Sequence, residues 1–130
     1  MFHMRCLIPL LIAFPILGLG CSSSEKVAAN VYTINIETTE GQPETRIASL
    51  SADEIMMNEL LDSVGVKTNE IIQGNTVIIT NFDGVIATKS KAWHLYLNNY
   101  PATLTNLAHM PVRASDIIEW KYENPTTTNK

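Results

Sequence analysis

The spacing of apolar residues predicts a strand near each end of the chain. Residues 31–37 and 117–122 both alternate between apolar and polar side chains, and a period of two is typical of a strand with one buried face. The side chains expected in the core are Tyr32, Ile34 and Ile36 in the first segment and Ile118, Trp120 and Tyr122 in the second. A turn signal at residues 40–43 predicts that residues 45–50 return beside the first strand as a hairpin.

A single amphipathic helix is predicted after this hairpin. Ser51 and Glu54 have the spacing of a capping box, in which each side chain accepts a hydrogen bond from the backbone amide of the other residue. An apolar stripe at helical spacing follows, and Gly65 suits the left-handed position that ends many helices. The pattern therefore predicts a helix over residues 52–64. The stripe consists of Met56, Met57, Leu60, Leu61 and Val64.

The second half of the chain predicts further strands. These strands are at residues 76–80 and 92–98, and the segments interpreted as connections are 66–75 and 100–111. A hairpin, one helix and then several strands is an α+β order. We expect one domain over residues 31–124, a mixed β-sheet packed on the helix in a β-grasp-like arrangement, and a disordered polar tail over residues 125–130.

The composition narrows the classes of partner. The 130 residues include 9 Lys+Arg and 13 Asp+Glu, which gives a formal net charge of −4. No cluster of basic residues is dense enough to neutralise a phosphate backbone, so nucleic acid is not expected as a partner. Two cysteines, Cys6 and Cys21, are too few for a disulfide framework.

The beginning of the chain has the features of a secretory signal. Arg5 precedes an uncharged apolar run from Cys6 to Leu17. This run is shorter than the ~20 residues that a helix needs to span a bilayer. A basic start, a short apolar run and small residues after it are the parts of a signal peptide.

The residues after this run resemble the cleavage site of bacterial lipoproteins. Gly20 precedes Cys21, and a polar serine segment follows, although the two positions before Gly20 depart from the pattern of that family. The resemblance implies a signal peptide over residues 1–20, a lipidated Cys21 and a tether over residues 21–30. The protein would then be an extracytoplasmic lipoprotein, anchored to a bacterial membrane at the cell surface or the periplasmic face. The alternative is an ordinary cysteine after a plain signal peptide or an uncleaved anchor.

The sequence offers little for catalysis. Nucleophile elbows, phosphate-binding loops and dinucleotide motifs are absent from it. His94 and His109 are the histidines beyond the signal segment, and neither lies at metal-ligand spacing from other histidines or carboxylates. We therefore expect a protein that is not an enzyme and has neither a metal site nor a resident cofactor.

The strand predicted at residues 92–98 supplies a candidate ligand surface, because three of its polar or aromatic side chains share the face opposite Trp93. Aromatic side chains with a polar tip suit contacts with a flat ligand or a protein surface. The alternative is that they only cover the open face of a small sheet. The candidate ligand-binding residues are His94, Tyr96, Asn98, Tyr100 and His109, whereas Trp93 and Trp120 are expected in the core.

Three short motifs in this order resemble a known domain family. They are Val64-Gly65-Val66, Trp93-x-Leu-Tyr-Leu-Asn98-Asn99 and Val112-x-x-Ser115-Asp116-x-Ile118-x-Trp120-x-Tyr122. The pattern is similar to the transcobalamin-like C-terminal domain, a small β-grasp domain of bacterial surface and secreted proteins and of vitamin B12 carriers. Asn99 and Ser115 stand where that family usually has glycine.

The resemblance implies a non-catalytic module that binds a small molecule, with a corrinoid such as cobalamin as the specific ligand. In the B12 carriers a separate helical domain holds most of the corrinoid, and this chain encodes no such domain. The alternative is an envelope protein–protein interaction module without a small ligand. The expected partners are therefore the membrane, through the lipid on Cys21, and either a corrinoid or an envelope protein.

Overall fold

The computed structural model describes residues 27–124, which form ten strands and one short α-helix. The signal peptide predicted at residues 1–20, the lipidation site Cys21 and the tail at residues 125–130 lie outside the described residues. The elements are β1 Asn30–Thr39, β2 Gln42–Leu50, β3 Glu54–Met56, α1 Met57–Ser63, β4 Thr68–Gln73, β5 Thr76–Phe82, β6 Val85–Ile86, β7 Ala92–Leu97, β8 Tyr100–Pro101, β9 Pro111–Arg113 and β10 Ile118–Glu123, with a 3₁₀ turn at Leu107–His109.

The largest sheet has five strands in the order β2-β1-β10-β7-β8. The central pair, β1 and β10, is parallel, and the other pairs are antiparallel. This sheet is mixed, and its hairpin β1–β2 confirms the turn predicted from the sequence. The prediction of one continuous sheet is wrong. Strand β5 belongs to a three-stranded sheet, β4-β5-β6, and β3 pairs with β9 in a sheet of two strands.

The predicted strand faces meet in one core. The alternating pattern predicts the buried side chains of both strands. Those at most 1% exposed are Tyr32, Ile34, Ile118 and Trp120. Phe82 from the three-stranded sheet joins this layer. The centre of its ring lies 4.6 Å from the ring centre of Trp93 and 4.7 Å from that of Trp120. The prediction that both tryptophans belong to the core is confirmed. The described residues thus form one small, mostly β domain with a short helix, compatible with the α+β class.

The helix begins later than the predicted residue 52. Residues 54–56 form β3, in which Ile55 pairs with Val112 of β9. The Glu54 carboxylate accepts a hydrogen bond from Nε of Arg113 at 2.9 Å rather than from the amide of Ser51. The carboxylate that does reach back is that of Glu59, which accepts from the amide of Met56 at 3.3 Å. The predicted capping box is therefore wrong. Glu54, its second residue, lies in β3 and binds Arg113 of β9 instead of the amide of Ser51.

The end of the helix follows the sequence more closely. Gly65 has a φ of +75°, its amide donates to the carbonyl of Asp62, and the amide of Val66 donates to the carbonyl of Leu61. These two bonds form a Schellman motif, which requires a left-handed residue at the glycine. Met57, Leu60 and Leu61 are the buried positions of the helix, all of them within the predicted stripe.

Two segments predicted as connections contain strands. Residues 66–75 include β4, and residues 100–111 include β8, the 3₁₀ turn and the start of β9. Ile71 and Ile72 in β4 are 53% and 79% exposed, so the segment lacks the alternating burial that a sequence pattern detects. Within residues 27–124, no helix has the length and apolar character needed to cross a bilayer.

Replacing Phe82 tests the contact between the two sheets. We expect Phe82→Ala to lower the free energy of unfolding by about 3–5 kcal/mol, because it leaves a cavity between two indole rings. Urea unfolding, monitored by tryptophan fluorescence, measures this loss of free energy. Ile72→Ala is the matched control and should change stability by about 0.5 kcal/mol or less. Equal effects of the two variants would show that Phe82 does not join the sheets.

Tyr32 makes the fold sensitive to alkali. Burial, followed by the charges of Asp53, Glu54 and Asp116, raises the pKa of its phenol above the ordinary value of 10.0. The phenol also donates to the carbonyl of Ala52 at 2.8 Å. Because the folded pKa is raised, the full stability is present below pH ~10 and is lost as pH rises through the folded value.

We expect the free energy of unfolding to fall less between pH 8 and pH 11 in Tyr32→Phe than in the wild type. At pH 8 this variant should be less stable by about 0.5–1.5 kcal/mol, because it loses the hydrogen bond to Ala52. Tyr100→Phe, at a position 76% exposed, is the control and should keep the wild-type slope. If the free energy of unfolding of Tyr32→Phe fell as steeply with pH as that of the wild type, Tyr32 would not be the source of the alkali sensitivity.

Candidate functional site

A shallow crease separates the five-stranded sheet from the three-stranded sheet. It has a volume of about 340 Å³ and is lined by residues 76–79 of β5, residues 92–95 of β7 and residues 102–104. Most of its walls are aliphatic or aromatic, with Ile78, Leu104 and Trp93 among them. Its size lies at the lower end of the range for small-molecule sites.

The crease exists because β5 and β7 do not pair with each other. Strand β8 pairs only with Tyr96 and Leu97 of β7, so the first part of β7 has no strand neighbour on this side within the described residues. The chain segment that follows β8 holds the two sheets at a fixed spacing. The amide of Ala102 donates to the carbonyl of Leu95 at 2.8 Å, and the amide of Val77 donates to the carbonyl of Leu104 at 2.8 Å.

His94 is the polar side chain of β7 at this crease. It is half-buried, and its backbone is paired with Lys121 of β10. Its Nε2 atom is buried and lacks a hydrogen-bond partner among the described residues. An unsatisfied buried nitrogen costs about 1–3 kcal/mol. A ligand or a water molecule that bonds to this nitrogen would recover that free energy.

Tyr96 lies next to His94 on the same face of β7, but its contacts are structural. Its hydroxyl donates to Oε1 of Glu123, and Nζ of Lys121 lies 5.0 Å from the centre of its ring. Glu123 and Lys121 both belong to β10. The structure therefore brings Tyr96 and His94 together on one face, with Tyr96 held by the neighbouring strand.

Asn98 has a turn role that its sequence position did not reveal. Its φ is +52°, and that of Asn99 is +69°, as expected of residues that tolerate the left-handed region. The Asn98 side chain donates to Oδ1 of Asp116 at 3.0 Å and accepts from the amide of Ile117 at 2.9 Å. Both ends of the amide are thus used to join two turns at the end of the sheet.

Tyr100 and His109 lie away from the crease. Tyr100 belongs to the edge strand β8 and is 76% exposed. His109 is exposed at the end of the 3₁₀ turn, which packs against α1. The five candidate residues therefore do not form one site, since only His94 lines the crease.

Two other hollows of the described domain are lined mainly by charged or polar side chains. One of about 390 Å³ lies beside Glu37, Lys91 and Glu123. Another lies between Asp53 and Arg113. Neither offers the apolar walls expected of a small-molecule site. Within residues 27–124, no group of three or more histidine, cysteine or acidic side chains is close enough to hold a metal ion.

Several crease residues could not be predicted from the sequence. Ile78, Ala102, Thr103 and Leu104 reach the site through the packing of separate sheets. A strand pattern identifies which face a residue occupies, but not which strand lies beside it. The alternation around Trp93 was the one signal that pointed to His94.

Comparison with known proteins supports the fold. A protein from Ruminococcus gnavus ATCC 29149, described as a "putative metal binding protein", has a crystal structure similar to this one, with a TM-score of 0.50 and 18% sequence identity. The match covers 72% of this chain and 98% of that one. No protein-family model and no curated protein matches this chain. At this identity the likeness shows a shared fold alone.

Substitutions at the two asparagines separate a turn role from a ligand role. We expect Asn98→Gly to destabilise the domain by about 1–2 kcal/mol, because two side-chain hydrogen bonds are lost. Asn99→Gly should change stability by about 0.5 kcal/mol or less, since glycine also accepts a positive φ. Thermal and urea unfolding measure both effects. A stable Asn98→Gly variant would contradict the turn role.

Proposed function

We propose that this protein is a lipid-anchored, extracytoplasmic binding module without catalytic activity, and that its ligand occupies the crease beside His94. The observation that carries the proposal is that His94, whose buried Nε2 has no hydrogen-bond partner among residues 27–124, lines a crease with mostly apolar walls. A ligand suited to this crease has a flat apolar part and one group that bonds to an imidazole nitrogen.

The order of strands supports the finer assignment of the fold. A central parallel pair formed by the first and last strands, with a hairpin on one side and a single helix in the core, is the arrangement of β-grasp domains. The family resemblance at Trp93, Asn98 and Trp120 points the same way. We therefore propose a transcobalamin-like β-grasp domain. The lipid on Cys21 would place it at a bacterial membrane.

A corrinoid is the specific ligand that the resemblance suggests. A corrinoid is larger than the crease of about 340 Å³, so the crease would contact one edge of it. A bare metal ion needs three or four convergent protein ligands, whereas a corrinoid would bring its cobalt already bound and would need only one residue of this chain to hold it. Imidazole nitrogen is a common metal ligand, and His94 is the residue of the crease that would hold a corrinoid in this way.

Titration of residues 22–130 with hydroxocobalamin tests this proposal. We expect backbone amide shifts at His94, Ile78 and Thr103, together with a change in the corrinoid absorbance. His94→Phe should weaken binding about tenfold or more, the equivalent of about 1.4 kcal/mol. His109→Phe replaces a histidine outside the crease and is the matched control, with unchanged affinity.

Two results would contradict the crease proposal. One is the absence of amide shifts at tens of micromolar hydroxocobalamin or dicyanocobinamide. The other is an equal loss of affinity in both histidine variants.

An envelope protein–protein interaction module is the second candidate function. Ile71 pairs directly with Ile78 across the β4–β5 hairpin, so both side chains lie on one face of it, where they are 53% and 36% exposed. Aliphatic side chains exposed together are typical of protein contacts. A stoichiometric envelope protein captured by the wild type but not by Ile71→Ser, with no small ligand present, would favour this function.

A further inference from the structure

The outer face of the five-stranded sheet, which is the face turned away from the core, is apolar at one end. Ile47 of β2 pairs with Thr33 of β1. Ile117 precedes Ile118, the partner of Ile34, so it lies on the other side of Thr33. Val31 is two residues from Thr33 on the same face of β1. We call Val31, Ile47 and Ile117 the apolar end; their exposed fractions are 52%, 63% and 47%.

The opposite end of the same face is charged. Glu37 is in register with Lys121, which is paired with His94, and Glu123 follows two residues later. Four residues along a strand separate this end from the apolar end, a distance of about 13 Å. The two ends of the outer face therefore differ along the strands, one apolar and one charged, and Glu119 lies between them, 4.0 Å from Lys121.

Two charged side chains near the apolar end, those of Arg113 and Asp116, take part in hydrogen bonds within the domain. Arg113 donates to the carboxylate of Glu54 at 2.9 Å. Asp116 accepts from the backbone amide of Arg113 at 2.8 Å and from the side chain of Asn98 at 3.0 Å. Side chains satisfied in this way lower the desolvation cost of bringing this end to an apolar surface.

The chain also enters the domain at the apolar end. Val27, which is 72% exposed, and Val31 lie at the entry to β1. Ten residues separate Cys21 from Val31, so a lipid on Cys21 lies at most about 35 Å from the apolar end. A lipid on Cys21 would therefore be tethered to the domain at its apolar end, where β1 begins.

We propose that the apolar end rests on the bilayer to which Cys21 is attached. The inference relies on the proposed lipidation. Aliphatic side chains enter the interfacial layer, and the acidic end points away from the membrane. This orientation holds the His94 crease on the solvent side, where a ligand or a carrier protein reaches it.

The experiment uses the full lipidated chain in vesicles of phosphatidylethanolamine and phosphatidylglycerol. A fluorophore sensitive to polarity is attached through Ile47→Cys, or through Ile117→Cys as a second variant, because the mature chain would have no other free thiol. The matched control is Pro43→Cys, which lies on the same face of β2 and pairs with Glu37 at the charged end.

We expect blue-shifted emission and quenching by spin-labelled lipids at positions 47 and 117, and neither at position 43. Weak quenching at all three positions would overturn the proposal. So would a label at 47 that is shielded from iodide but not quenched by lipid, since protein would then cover the apolar end. A label at Ile71→Cys that is quenched by lipid, together with a label at position 47 that is not, would also overturn the proposal. The β4–β5 hairpin would then face the membrane.

Mass measurement of the N-terminal peptide separates this inference from the proposed function. An acylated Cys21 with no quenching at position 47 would overturn the orientation and leave the lipid anchor intact. An unmodified Cys21 in the mature chain would overturn both. Binding of hydroxocobalamin, which is measured without the lipid, is unaffected by either result.

Discussion

The parallel pairing of β1 with β10 is the constraint on which the rest of the structure depends. It joins the beginning of the domain to its end, and all the other elements, β2 included, lie in the connection between the two strands. Closing a connection of this length costs chain entropy. The buried side chains of the central pair, including Tyr32, Ile34 and Trp120 at 0% exposure, offset that cost. Phe82 then attaches the second sheet by its contact with two tryptophans.

The same pairing arranges the two faces of the sheet. Once Ile34 lies beside Ile118, alternation places the aromatic and aliphatic residues of both strands in the core. It also places Thr33 between two exposed isoleucines and Glu37 beside Lys121 on the outer face. A polarised surface and a closed core are therefore consequences of one register. A shift of that register by one residue would exchange the two faces.

The candidate ligand site has a different origin, namely the break between two sheets. A continuous sheet would pair the edge of β7 and leave little room beside His94. Here β5 belongs to a separate sheet, and residues 102–104 hold it at a fixed spacing from β7. Backbone hydrogen bonds therefore join residues 102–104 to both sides of the crease.

Local periodicity in the sequence determined the long strands, their buried faces and the end of the helix at Gly65. These features depend on neighbours within a few residues, so the sequence pattern contains them. Only the tertiary structure decided where the helix begins, because Glu54 binds Arg113 at a separation of 59 residues. It also decided that His94 borders a crease while Asn98 joins two turns. Those outcomes depend on which distant strands pair and in which register, and periodicity carries no information about either.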